Sequence, residues 1–142
     1  MPKILLPPGL EVFERGWLSA NNIFIYSKDG ASIIDTGYHC HASMTLSLVQ
    51  HELNKYHLAR ISTILNTHLH SDHCGGNHLL QERFNPDTYI PATQAQAVQN
   101  WDAGLLSFEA TGQQCPRFSY THTLSPGQVI GLGNFSWKVL AA

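Results

Sequence analysis

Two β-favouring runs, Asn22 to Ser27 and Ala31 to Asp35, flank Lys28-Asp29-Gly30 near the start of the chain. Asp-Gly supplies the positive φ angles of a tight turn, so the pattern predicts a β-hairpin. From about His41 to His57, Ala42, Leu46, Val49, Leu53 and Tyr56 recur at helical spacing. That stripe predicts an amphipathic helix lying on a sheet. Ile61 to Asn66 is short, largely apolar and rich in β-branched residues, as a strand buried on both faces should be. Strand, helix and strand in succession imply a parallel crossover and an α/β (α+β) fold. A short helix is expected from Asn77 to Phe84, stopped at Asn85-Pro86, then a strand at Thr88-Tyr89-Ile90. Pro91 is expected to open a helix running through Gln94 to Trp101. Gly104 to Thr123, with Gly112, Pro116 and scattered aromatics, reads as loop with at most a turn or two of helix. Gln128 to Leu132 and Asn134 to Leu140 read as two strands around Gly133, entered through Ser125-Pro126-Gly127.

Composition narrows the classes that this pattern leaves open. Of 142 residues, 43% are apolar and 13% charged, which excludes a disordered chain. A formal charge of −2 without any block of like charge gives no footprint for nucleic acid or an anionic membrane. No apolar run reaches membrane-spanning length, and Met1 to Pro8 is interrupted by prolines before a signal-peptide core could form. Cys40, Cys74 and Cys115 are odd in number and lack a CxxC spacing, so no disulfide framework is expected. A cytoplasmic protein acting on a small molecule is the expectation.

Nine histidines are many for this length, and three fall in one run, His68-Leu69-His70-Ser71-Asp72-His73. The run sits just past the carboxyl end of a predicted strand, the edge where open α/β sheets carry ligands. His68 and His70 alternate in extended chain and are expected to project toward one point, while Asp72 and His73, a turn further on, face a second. Imidazole and carboxylate suit zinc, with iron and manganese as alternatives. Two cations about 3.5–4 Å apart can deprotonate a shared water and polarise a carbonyl or phosphoryl oxygen. The pattern HxHxDH would arise by chance in such a composition about once in a thousand chains, so a coincidental surface cluster is the weaker reading.

Thr67-His68-Leu69-His70-Ser71-Asp72-His73-Cys74-Gly75-Gly76 resembles the THxHxDHxGG hallmark of the metallo-β-lactamase superfamily. Asp35-Thr36-Gly37 is similar to that family's DTG element, and Leu124-Ser125-Pro126-Gly127-Gln128 to the segment that introduces its next strands. The resemblance implies an αββα sandwich and a mono- or dinuclear metal site. It also implies hydrolysis of an ester, thioester, lactam or phosphodiester by metal-bound hydroxide; the near-neutral charge favours the first three over a nuclease. By position, His68 and His70 would bind a first metal and Asp72 and His73 a second. Asp72 would also act in catalysis, orienting the hydroxide and passing a proton to the leaving group, and Asp35 would support the loop from below.

The same resemblance implies a further histidine in a Pro-Gly-His turn, then a bridging Asp and a last His, beyond Val139-Leu140-Ala141-Ala142. Residues 1–142 are therefore expected to be the N-terminal part of such a domain, incomplete at the C-terminus, with one apolar sheet face uncovered. A catalytically inactive metal-binding module, or a homodimer covering the open face, are the alternatives. Among the remaining candidates, His39-Cys40-His41 is expected in a loop and first helical turn rather than as a metal tripod. Cys74 reads as a packed small residue rather than a ligand or redox handle, and His78 as a neighbour of the site or a surface residue. His51, His57 and His122 stand alone. Trp17, Trp101 and Phe108 read as core rather than as the lining of a cleft.

Overall fold

The computed structural model describes residues 6–15, 21–106, 108 and 114–141. Six strands form one sheet in the order β1 (Leu10–Phe13), β2 (Asn22–Ser27), β3 (Gly30–Ile34), β4 (Ile61–Leu65), β5 (Asp87–Pro91), β6 (His122–Leu124). The first three pair antiparallel and the last four parallel. The hairpin turns at Lys28-Asp29, with Ser27 opposite Gly30, as the Asp-Gly signal predicts. The β3–β4 crossover is made by α1 (Ala42–Lys55), entered through a single 3-10 turn, His39–His41. After β4 come α2 (Ser71–Cys74), α3 (Asn77–Phe84) and, beyond β5, α4 (Ala95–Asn100). No helix among the described residues is long and apolar enough to cross a membrane.

Period-two alternation sorts the strands into two faces. Phe24, Ala31 and Ile33 meet Val49 and Leu53 of α1 and Leu80 and Phe84 of α3 in one core. Ile25 and Ile34 point the other way, toward Leu124 and toward Ile130 and Leu132 of a second hairpin, β7 (Val129–Leu132) with β8 (Phe135–Lys138). The second face is thus not bare as expected, because that hairpin lies over it. On β4 the alternation breaks: Ala31 pairs with Ile61 but Ser32 pairs with Thr63, leaving Ser62 as an extra residue. This bulge puts Ile61 and Ile64 into the same core, and the Ser62 hydroxyl donates to the Ala31 carbonyl at 2.9 Å.

Two expectations need correction. Pro91 does not open a helix; it ends β5 opposite Leu124 with extended ψ of 133°, at a strand end where its missing N–H does little harm. A 3-10 turn, Ala92–Gln94, follows before α4 begins. At the end of the segment read as loop, His122–Leu124 adds the sixth strand; its three residues, two of them exposed, are too few to show a period. Trp101 and Phe108 do pack in a core, with Phe118, Leu69 and Cys74, Trp101 meeting Phe118 edge-on at 5.3 Å. Trp17, Gly112 and the first five residues lie outside the described residues.

Leu80 is fully buried between helix and sheet. Leu80→Ala should cost about 2–5 kcal/mol, read as a lower urea midpoint with an unchanged slope. Leu105, 70% exposed, is the control: Leu105→Ala should shift stability by no more than about 0.5 kcal/mol.

Candidate metal centre

The histidine-rich run leaves the carboxyl end of β4, where the sheet presents its strand ends side by side. Asp35, the residue after β3, is 4% exposed and holds a left-handed φ of 61°, uncommon for a residue with a side chain. Its backbone N–H donates to the Leu65 carbonyl at 2.8 Å, continuing the β3–β4 ladder. Its carboxylate takes three donors. The Thr67 backbone N–H donates to Oδ1 at 2.9 Å, while the Thr67 hydroxyl and His73 Nδ1 donate to Oδ2 at 2.7 and 2.8 Å. With His73 Nδ1 so engaged, Nε2 is the ring's remaining nitrogen, and it lies 3.4 Å from Asp72 Oδ2.

The four predicted ligands therefore gather in one place. His70 leads directly into α2, whose first turn brings Asp72 and His73 back over the strand end. The His68 ring lies against His73 with centroids 3.6 Å apart and against His70, edge-on, at 4.9 Å. The turn of α2 and the Asp35 bond set His73 beside both His68 and Asp72, so the two expected pairs of donors lie side by side. Among the described residues, no three His, Cys, Asp or Glu side chains surround one point as a ready-made cation cage.

Electrostatics differ across the cluster. Burial lowers the His68 imidazole below its ordinary value, and the neighbouring His73 and His70 add to the effect. Burial acts on His73 in the same direction, but the hydrogen bond and charge of Asp35, with the charge of Asp72, outweigh it and leave His73 raised. The hydrogen bond between Cys74 and Cys115, then burial, push the Cys74 thiol up.

A second layer, which carries no periodic signal in the sequence, fixes the loop from behind. Asn66, Asn77 and Thr36 are wholly buried. Asn66 Nδ2 donates to the His73 carbonyl at 3.0 Å, and Asn77 Nδ2 donates back to Asn66 Oδ1 at 2.7 Å. The Thr36 hydroxyl donates to Asn77 Oδ1 at 2.7 Å, and the Thr36 backbone N–H to the His73 carbonyl at 2.8 Å. Gly75 and Gly76 let this happen by close approach. A Cβ on Gly75 would collide with the backbone of Tyr38 and His39, and one on Gly76 with the Thr36 carbonyl.

Residues 15–141 match the sequence profile of the metallo-beta-lactamase superfamily. The chain belongs to that superfamily. A curated relative named "Probable metallo-hydrolase", from Methanocaldococcus jannaschii, is 32% identical over 89 residues, covering 63% of this chain and 41% of the relative. Among solved metallo-beta-lactamases, one from Cronobacter sakazakii superposes with a TM-score of 0.71 at 18% identity, over 96% of this chain and 52% of that one. A subclass B3 enzyme of Bradyrhizobium japonicum gives 0.70 at 17%, over 97% and 50%. These likenesses establish the metallo-beta-lactamase fold, and the chain spans about half the length of the proteins it matches.

The other candidates lie apart from the cluster. His39, Cys40 and His41 form the exposed 3-10 turn before α1, as expected. His78 Nδ1 meets the Arg117 carbonyl at 3.1 Å and its Nε2 meets Glu82 at 3.1 Å, outside the cluster. His122 stacks on Tyr89 at 4.5 Å.

The Asp35 tether has a measurable sign. In protein kept metal-free by a chelator, ring NMR should place the His73 midpoint above, and the His68 midpoint below, the ordinary imidazole value of about 6.5. Asp35→Asn should bring His73 down, since burial remains and the charge is gone. A group raised by folding stabilises fully below its unfolded value and loses that contribution as pH rises through the folded one. The difference in Tm between the parent and Asp35→Asn should therefore be largest below about pH 6.5 and shrink above it. Unchanged His73 midpoints would remove Asp35 from this role.

Proposed function

We propose that the protein carrying this chain is a metal-dependent hydrolase of a small carbonyl substrate, an ester, thioester or lactam, with zinc as its resident cation. The observation that carries this reading is the gathering of three imidazoles and one carboxylate at the strand ends, with His73 turned by Asp35 so that Nε2 faces Asp72. The donor set fits a divalent cation: nitrogen and oxygen ligands suit zinc, with iron and manganese as alternatives. A lowered His68 stays neutral and keeps its lone pair at neutral pH. An imidazole oriented through its other nitrogen by a carboxylate is the usual outer arrangement around such metals.

His68, His70, Asp72 and His73 would hold the cation. What it supplies when bound is Lewis acidity toward a carbonyl oxygen and a lowered pKa for water. The chain's own residues do the rest. Asp35 and Thr67 fix the loop, and the web of Thr36, Asn66 and Asn77 keeps His73 from swinging away. Asp72, whose side chain is 27% exposed beside His73, would take a proton from the attacking water and hand it to the leaving group. A small, uncharged or weakly charged substrate accords with the formal charge of −2.

Elemental analysis tests the reading directly. The purified chain, loaded with zinc at neutral pH and desalted, should retain on the order of one equivalent, and His68→Ala with His70→Ala should retain below about a tenth. In the protein carrying this chain the same double substitution should abolish hydrolysis of a chromogenic ester, thioester or lactam. A parent chain holding less than about a tenth of an equivalent of zinc, iron or manganese would overturn the assignment.

A further inference from the structure

Behind the imidazoles, Cys74 is fully buried in α2 and packs with Leu69, Ile90 and Phe118. Its Sγ lies 3.8 Å from Sγ of Cys115, a residue 41 positions further along the chain. Cys115 is partly exposed, and its Sγ also lies 3.9 Å from the Cys74 carbonyl and 3.7 Å from that of Pro116. Both are free thiols, as is the exposed Cys40. Two sulfurs from distant parts of the sequence stand in contact, one sheltered and one within reach of solvent. A disulfide needs them at about 2.05 Å, so closing the bond takes less than about 2 Å of travel.

We propose that Cys74 and Cys115 form a reversible disulfide, a redox modification site that staples the helix bearing Asp72 and His73 to the segment around residues 114–118. The oxidant is a low-molecular-weight disulfide of the glutathione type. Cys115, the accessible partner, attacks one of its sulfurs; a mixed disulfide forms and the first small thiol leaves. The Cys74 sulfur then attacks Sγ of Cys115 and the second small thiol leaves. Two cysteine thiols become one disulfide, their two protons pass to the departing thiolates, and one small disulfide is reduced to two thiols. A dithiol reductant reverses both steps.

The bond would be felt at the histidine-rich loop. The His70 carbonyl accepts from the backbone N–H groups of His73 and Cys74 at 2.9 and 3.2 Å and from the Cys74 thiol at 3.4 Å. Oxidation removes the thiol proton, and with it the third of these bonds, while fixing Cys74 to a neighbouring segment. The inference stands on the sulfur geometry and does not depend on which cation, if any, the loop binds.

Equilibration of the chain with oxidised glutathione, followed by acid quench, alkylation and peptide mapping, decides the matter. The expected product is one cross-linked peptide pair joining Cys74 to Cys115, lighter than the reduced pair by about 2 Da and lost on treatment with dithiothreitol. Cys40→Ser should retain the cross-link and Cys115→Ser should abolish it. Because Cys115 is partly exposed, the second variant should keep the Tm of the reduced parent. Hydrogen exchange at residues 71–76 should slow on oxidation of the parent and stay unchanged in Cys115→Ser. Alkylated, unlinked Cys74 and Cys115 after equilibration, or a stable glutathione adduct on Cys115, would overturn the proposal.

Discussion

One buried carboxylate organises the site. Asp35 is removed from water, which is costly for a charge unless it is paired and hydrogen-bonded, and it is met by three donors from a loop some thirty residues away in sequence. Bonds to an ionised acceptor are roughly twice as strong as neutral ones, so the three together can offset the burial. Asp35 also accepts a left-handed backbone, a strain of about 1–3 kcal/mol that persists only where the surroundings over-determine it. Without those three bonds neither the strain nor the buried charge would be supported. The orientation of His73, the entry angle of the loop at Thr67 and the contact between β3 and the helix after β4 all follow from that pairing.

Around it the backbone is held at unusually close quarters. The chain between α2 and α3 lies so near the loop after β3 that two successive positions have no room for a side chain, and their φ values are those of ordinary helix. Space, not conformational freedom, is what the glycine pair provides. The same closeness lets Thr36, Asn66 and Asn77 satisfy one another in the dry interior, where a partly satisfied network would be expensive. The His73 carbonyl accepts from both Thr36 and Asn66, so the ligand-bearing turn is fixed through its backbone as well as through its imidazole.

Much of this was legible in the sequence, for identifiable reasons. The first hairpin, the long helix, the buried parallel strand and the last two strands each carry a period or a turn signal repeated over several residues. The motif from Thr67 to Gly76 is dense enough to stand out from composition, and Asp35 could be named because it ends a strand in a recognisable triplet. What could not be read lacks a local signature. Asn66 and Asn77 are ordinary polar residues until the crossover brings them together, and His122–Leu124 is too short for alternation. The direct contact of His73 with His68 depends on how α2 curls after His70, which residue spacing in an extended loop does not convey. Cys74 is packed as its sequence context suggests, but that context sets aside a redox role because its partner Cys115 lies in a stretch with no discernible period.

The bulge at Ser62 has a consequence for how the strand and the loop are joined. Strand side chains alternate strictly, so one residue more or less exchanges inside for outside along everything that follows. By absorbing one residue between Ile61 and Thr63, β4 changes parity midway. Both isoleucines can then anchor the helix side while Leu65 turns toward the second hairpin. Shortening the strand by that residue would leave two demands out of phase: either Ile61 leaves the core, or the chain reaches Thr67 facing away from Asp35. The bulge is thus a phase correction that lets one short strand serve a packing requirement at its start and a geometric one at its end.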